Sequence, residues 1–240
     1  GQFISVNGDL LGDSFAISPN ANTGRAEVLE EVGFSGSVLL VIWGEDGPDE
    51  DDEEEMPSTD SLFAQRVAPY QAPGARLVGA PITIDEGQAR SRASDVASDG
   101  EDFLVVWRGE SLWQLETRGL IISGDGTVPG APFTISMALT SDYHNPVNVV
   151  FDGNRYFATW SHKDSEIDDP DWDVHGRYVN RDGTLGDESP ADLILIDGAG
   201  DQLTWTHGLT STGSGVLMTW LDKSPAVNGR FLDRSGDDIY

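Results

Sequence analysis

The chain alternates between short apolar runs and polar, glycine-rich breaks, and no run is long enough or periodic enough for a helix. Four runs end in tryptophan: Val38-Leu-Leu-Val-Ile-Trp43, Phe103-Leu-Val-Val-Trp107, Tyr156-Phe-Ala-Thr-Trp160 and Val216-Leu-Met-Thr-Trp220, with tryptophans 64, 53 and 60 residues apart. Their β-branched, aromatic and aliphatic content, bounded by turn formers, predicts buried strands. A small glycine turn precedes each: Phe34-Ser-Gly36, Ser98-Asp-Gly100, Phe151-Asp-Gly153 and Thr212-Gly-Ser-Gly215. Glycine supplies the positive φ of a tight hairpin, so the segment before each turn, such as Val147 to Val150, is expected to pair with the tryptophan strand.

Beyond each tryptophan lies an acidic loop and then a segment of alternating character: Leu62 to Val67, Trp113 to Leu120, Val174 to Val179 and Val227 to Leu232. The N-terminal Gly1-Gln-Phe-Ile-Ser-Val6 matches these segments. A second turn follows at Asn7-Gly8, Asp125-Gly126, Asp182-Gly183 and Ser235-Gly236, with Gly12, Gly130 and Gly186 after the first three. A fourth apolar piece completes the pattern at Ser14 to Ser18, Pro81 to Ile84, Pro132 to Ser136 and Leu193 to Ile196. Four short antiparallel strands per unit, recurring at intervals of tens of residues, is the pattern of a propeller blade.

The expected fold is therefore all-β. It is a small β-propeller of four, alternatively five, four-stranded blades occupying residues 1–240 as a single domain. The repeat units run over about 1–46, 61–110, 111–164 and 173–223, with a partial unit at 227–240 and an acidic insertion at 45–55. A β-sandwich is the competing architecture, but it does not require one strand pattern to recur. The ring is expected to close through the N- and C-terminal strands. Alternatively, because Ile239-Tyr240 reads into Gly1-Gln2-Phe3 as a further third strand, the chain is a segment of a longer array or associates head to tail.

Three quoted pieces carry a resemblance: the Phe-Leu-Val-Val-Trp strand at 103–107, the Gly-Arg-Tyr-Val strand at 176–179 and the Asp-Gly-Thr-Leu-Gly turn at 182–186. Together they resemble the repeats of bacterial secreted or cell-surface propeller-like proteins, over nearly the whole chain. The resemblance implies an extracellular or cell-surface location and no particular reaction. The acidic insertion and the degenerate turn around Tyr70 to Gly74 depart from that pattern.

Charge removes some partners. With 42 acidic and 14 basic residues the formal net charge is −28, and Lys163 and Lys223 are the only lysines. Such a chain repels phosphate backbones and anionic bilayers, so neither nucleic acid nor membrane insertion is expected. The acidity fits a surface hydrated in high salt, or a site for cations or basic partners. There is no cysteine, which excludes disulfides, thiolate metal sites and a cysteine nucleophile.

The recurrent Trp43, Trp107, Trp160 and Trp220 are expected to pack between units, since a residue repeated in every unit serves the interface between units. Trp113, Trp172 and Trp205 fall outside the repeat and are candidate ligand platforms, with His144 and His162 as further ligand-binding candidates. His144 is placed in a connecting loop. The loops after the tryptophan strands put carboxylates at nearly equivalent positions, among them Asp46, Glu110, Asp164 and Asp222, and Asp169-Pro-Asp171-Trp-Asp173 adds alternate carboxylates. Converging oxygens of this kind suit Ca²⁺, which takes six to eight of them. The glycine and distal glutamate of an EF-hand are missing, and solvated surface charge explains the same residues.

No nucleophile elbow, zinc-protease helix or phosphate-binding loop is present. The expected function is binding or scaffolding: recognition of a glycan or extracellular protein through the acidic loop face, with Ca²⁺ as the candidate cofactor. A glycan-acting hydrolase or lyase using channel carboxylates is one alternative. A structural unit assembling through its terminal strands is the other.

Overall fold

The computed structural model describes residues 1–19, 27–46, 59–111, 114–137, 143–163, 172–186, 193–196, 207–221 and 226–233. Among these residues the chain is all-β, with one 3-10 turn at Pro73–Ala75 in the degenerate turn. Four small antiparallel sheets follow one another along the sequence. Strands β1 (Glu27–Phe34), β2 (Leu39–Asp46), β3 (Thr59–Val67) and the first part of β4 (Leu77–Ser98) form the first. The rest of β4 with β5 (Phe103–Ser111), β6 (Gln114–Ile122) and β7 (Phe133–Met137) forms the second. Strands β8 (Tyr143–Phe151), β9 (Tyr156–Lys163), β10 (Trp172–Val179) and β11 (Leu193–Ile196) form the third. The fourth contains β12 (His207–Ser211), β13 (Gly215–Leu221) and β14 (Val227–Asp233).

Strand β4 pairs with β3 as far as Ser91 and with β5 from Arg92 onward, so one continuous strand is the outer edge of the first sheet and the leading strand of the second. In every sheet the tryptophan strand is second and pairs with the segment before it, as expected. The hairpins between first and second strands share one construction. Ser35, Asp99, Asp152 and Thr212 each donate their backbone N–H to the carbonyl three residues on, at 2.9 to 3.1 Å. The next residue is Gly36, Gly100, Gly153 or Gly213, with φ between 81° and 99°, a region that L side chains avoid.

Burial explains why the sheets pack side by side. The central strands of the second and third sheets are apolar on both faces, so each of these sheets needs a neighbour on each side. Leu40, Ile42, Phe103, Val105 and Trp107 belong to the core between the first and second sheets. Leu104, Val106, Val147, Val149 and Trp160 belong to the next core, and Phe157, Tyr178, Val216 and Met218 to the third, with Trp220 packed against it. Trp107, Trp160 and Trp220 thus each face the preceding sheet. Their expected packing role holds, and Trp43 is likewise buried.

The residue after the tryptophan's cross-strand partner is pinned small. Ala64, Gly119, Gly176 and Gly229 lie opposite Ile42, Val106, Thr159 and Thr219. A Cβ on Gly176 would stand 2.7 Å from Phe157 Cζ and 2.8 Å from Leu195 Cδ1, and one on Gly119 would stand 2.8 Å from Phe133 Cζ. These side chains lie across the third strand, so glycine is a packing requirement there.

The N-terminal residues differ from expectation. Residues 1–19 contain no regular strand; they fold back on themselves through the bridge Ile4↔Leu10, Leu11 N donating to Phe3 O and Phe15 N donating to Gly1 O. Two short segments with no third strand beside them do not extend a ladder. They rest instead against the connection between β3 and β4. The Arg76 guanidinium donates to Leu11 O at 3.1 Å and lies 4.8 Å from the Phe3 ring centre and 5.3 Å from that of Phe15. Among the described residues no strand pairing joins this segment to the fourth sheet, so the expected ring closure is not among the pairings seen.

Replacing Gly176 by valine forces Phe157 and Leu195 apart and is expected to cost about 1–3 kcal/mol, the range for overpacking a filled core. Gly229→Ala, where the nearest atoms stand 3.5 Å or more from the added Cβ, is expected to cost less. Urea denaturation of the two variants, compared with the parent chain, checks this order.

Candidate functional site

In each of the first three sheets the register places a cross-strand row at one end, two positions beyond the tryptophan. In the first sheet the row is Glu27, Glu45, Ser61 and Glu86. In the second it contains Gly109 and Glu116 with Met137. In the third it is His144, His162 and Asp173. Alternate residues share a face, so each row lies on its tryptophan's side of the sheet.

The third sheet owes its row to a β-bulge. Val147 pairs with Trp160 and His144 with His162, so Asn145 and Pro146 together stand against Ser161 alone. Proline has no N–H to give a ladder and sits in sheets at such irregularities. An uninterrupted ladder would put Asn145 opposite His162 and His144 on the other face. His144 is therefore in a strand, not in the expected connecting loop, and the bulge brings it into line with His162 and Asp173.

Of the other expected site residues, Asp46 ends β2, Glu110 is the penultimate residue of β5, and Trp172 opens β10 opposite Lys163. Glu110 has the parity of Leu104 and Val106, whose side chains pack toward the third sheet. Asp164, Asp169, Asp171, Asp222, Trp113 and Trp205 lie outside the described residues, as does the acidic insertion beyond Asp46. Among the described side chains no group of three His, Asp or Glu residues converges as a metal site.

Polar groups inside the stack join sheet to sheet. The Asp95 carboxylate, on the leading strand of the second sheet, accepts Val149 N–H from the third sheet at 2.7 Å and its neighbour Val96 N–H at 2.7 Å. Arg177 donates to Ile135 O at 2.8 Å and Arg230 to Leu195 O at 2.6 Å, in each case from a third strand to the fourth strand of the preceding sheet. Asp85 of the first sheet accepts Trp107 Nε1–H at 3.0 Å and Arg118 Nη1–H at 3.3 Å from the second. These clamps escaped the sequence reading. The recurrence of Gly-Arg at 176–177 and 229–230 was the available signal, whereas nothing marks Asp95 among so many acids.

The second turn is also built from side chains. In Asp125-Gly-Thr127 and Asp182-Gly-Thr184 the aspartate accepts both the threonine N–H and its hydroxyl, at 2.6 to 3.0 Å. These hydrogen bonds hold both carboxyls below the usual carboxylate range, the threonine backbone leading at Asp125 and the threonine hydroxyl at Asp182. The repeated Asp-Gly-Thr motif is thus a turn device.

No family model matches the chain, and no curated protein matches it. Among solved structures it is similar to a chain from a study of two prolyl endopeptidases, at 16% identity and a TM-score of 0.42, over 98% of this chain and 36% of that one. The chain thus spans about a third of that protein's length. It is also similar to a putative TolB from Agrobacterium tumefaciens, at 12% identity and a TM-score of 0.31, over 89% of this chain and 81% of that one.

Burial pushes the Asp95 carboxyl up to about 6, against the lowering by its two backbone hydrogen bonds, and the nearby Glu31 charge adds to the rise. The folded chain thus holds this proton more tightly than the unfolded chain does. Below about pH 4 the carboxyl is protonated in both states. Stability falls as pH rises from there toward 6, where the unfolded chain alone releases the proton, and the full penalty is on the order of 3 kcal/mol. Asp95→Asn is uncharged throughout and keeps one acceptor. Its stability relative to the parent is expected to improve between pH 4 and pH 7, by up to about that amount, in urea denaturation at a series of pH values.

Proposed function

We propose that the four sheets are blades of a β-propeller and that the chain is an extracellular or cell-surface binding and scaffolding module. In this reading β1, the second part of β4, β8 and β12 are the innermost strands. The contacts of β1 with β4, β4 with β8 and β8 with β12 support this arrangement, as does the constant orientation of Trp107, Trp160 and Trp220 toward the preceding sheet.

One observation carries the functional part. Packing absorbs the recurrent aromatic residues, while the positions just beyond them vary from unit to unit and are rich in acids and histidine: Glu45 in the first sheet, Gly109 in the second, His162 in the third. Variable residues beside a constant frame are where scaffolds carry their sites, and Glu45 is there a buried carboxylate. The ligand is a glycan or an extracellular protein, and the sequence following the tryptophan strands is rich in carboxylates of the kind that Ca²⁺ takes.

Binding of the full chain to an arrayed panel of glycans, in Ca²⁺ and in chelator, tests the reading. Selective retention of one glycan class is expected, weakened at least about tenfold by exchanging the acids at positions 49–55, within the insertion 45–55, for their amides, with the melting temperature little changed. Uniform failure to retain glycans, with no heat on Ca²⁺ titration, would count against the glycan and Ca²⁺ parts together.

A further inference from the structure

The two outer sheets of the row each leave open an apolar face of the kind that the inner sheets have covered. In the first sheet Leu29, Val32 and Phe34 stand opposite Trp43, Val41 and Leu39 and share their face, on the side away from the second sheet. The equivalent positions of the third sheet are Val147, Val149 and Phe151, opposite Trp160, Ala158 and Tyr156. There the preceding sheet closes over them: Val147 is 3% exposed against 67% for Leu29, and Val149 6% against 43% for Val32. On the fourth sheet Leu217, Leu221, Val227 and Phe231 share the face turned away from the third sheet. Phe231 is 43% exposed, whereas Ile121 and Tyr178, at the same position in the second and third sheets, are buried against the following sheet. We propose that these two faces bind each other between copies of this chain, the fourth sheet of one copy seated on the first sheet of a second, head to tail.

The faces match because the chain already makes this junction three times, each between the tryptophan face of one sheet and the opposite face of the sheet before it. The outer faces are the two remaining halves of such a junction. The indole of Trp43 is an independent sign. Trp107 donates its Nε1–H to Asp85 of the preceding sheet at 3.0 Å, whereas Trp43, in a sheet that no described sheet precedes, has its Nε1 buried with no acceptor. A buried donor of that kind calls for a partner. The chain's own fourth sheet does not cover its first, since both faces are open in the same molecule. A second copy brings the face that fits. Contact between two unlike faces is heterologous, so it can continue from pairs into a ring or a filament. The net charge of −28 opposes association and is screened by salt, so assembly strengthens with ionic strength.

This junction concerns assembly and not the ligand, so chain mass reports on it while glycan retention reports on the proposed function. Sedimentation of the full chain in about 1 M NaCl, where the Debye length is about 3 Å, is expected to show mass above the monomer, rising with protein concentration. Leu29→Gln/Phe34→Gln alters the first face and Val227→Gln/Phe231→Gln the fourth, each without changing net charge. Either double variant alone should weaken association at least about tenfold, as loss of central apolar contacts does, with its circular dichroism spectrum unchanged. Val6→Gln, at a fully exposed residue outside both faces, should assemble as the parent does. An equimolar mixture of the two double variants should form particles of two chains, because each supplies the face that the other lacks. If a double variant does not fold, Leu29→Gln and Val227→Gln alone, at the most exposed of these positions, take their place. A parent chain that stays monomeric at every concentration and salt, assembly that persists undiminished in either variant alone, or a mixture that stays monomeric would each overturn the proposal.

Discussion

A sheet of three or four short strands whose central strand is apolar on both faces cannot be stable alone in water, and everything else in this chain follows from that. Val105 and Trp107 point to one neighbour, and Leu104 and Val106 to the other. The second and third sheets are accordingly each packed between two neighbours, which turns the chain into a row of sheets joined by similar interfaces, each stabilised mainly by burial. The requirement also explains β4. A strand that leaves one sheet as its last member and enters the next as its first places the two sheets side by side without a long connection.

Such a row raises a second difficulty, because strand carbonyls and N–H groups turned toward an interface have no water to meet. The chain meets it with a small set of charged side chains. Arg177 and Arg230 reach back to carbonyls of the preceding sheet, and Asp95 reaches forward to an N–H of the following one. A charged partner makes a stronger hydrogen bond in a dry setting than a neutral one, but ordering and dehydrating it carries a cost. At Asp95 that cost shows in the raised proton affinity. The guanidiniums suit this role because arginine stays charged under burial and is less strongly hydrated than lysine, in keeping with a chain that has two lysines in all.

Much of this was legible in the residues. The tryptophan strands and their glycine hairpins were placed correctly because apolar runs and positive-φ glycines are local signals. Leu193–Ile196 was bounded to the residue. Three features were not readable, each for a nonlocal reason. Residues 85–91 carry no apolar run, yet they continue β4 because both ends of the segment are held by pairing. Residues 1–18 carry strand-like alternation but gain no ladder, since strand formation depends on a neighbour that sequence does not display. The line of His144 with His162 and Asp173 depended on a bulge, and a one-residue slip reverses the face of every residue beyond it.

The contrast between recurrent and variable positions is the firmest guide to where function resides. The position opposite the residue before each tryptophan is Ala64, Gly119, Gly176 or Gly229, always small, and at Gly119 and Gly176 the space is filled by neighbouring side chains. Two residues past the tryptophan the chain has Glu45, Gly109, His162 and Asp222, with no common size, charge or chemistry. Packing constrains every unit alike and therefore cannot produce that diversity. Glu45 and Gly109 are buried, and a Cβ on Gly109 would stand 2.6 Å from Arg118 Cδ, so the ladder fixes this position while each unit fills it with a different group. In the proposed binding module, units alike in their interior and unlike at one end would give a single asymmetric ligand a different contact from each unit.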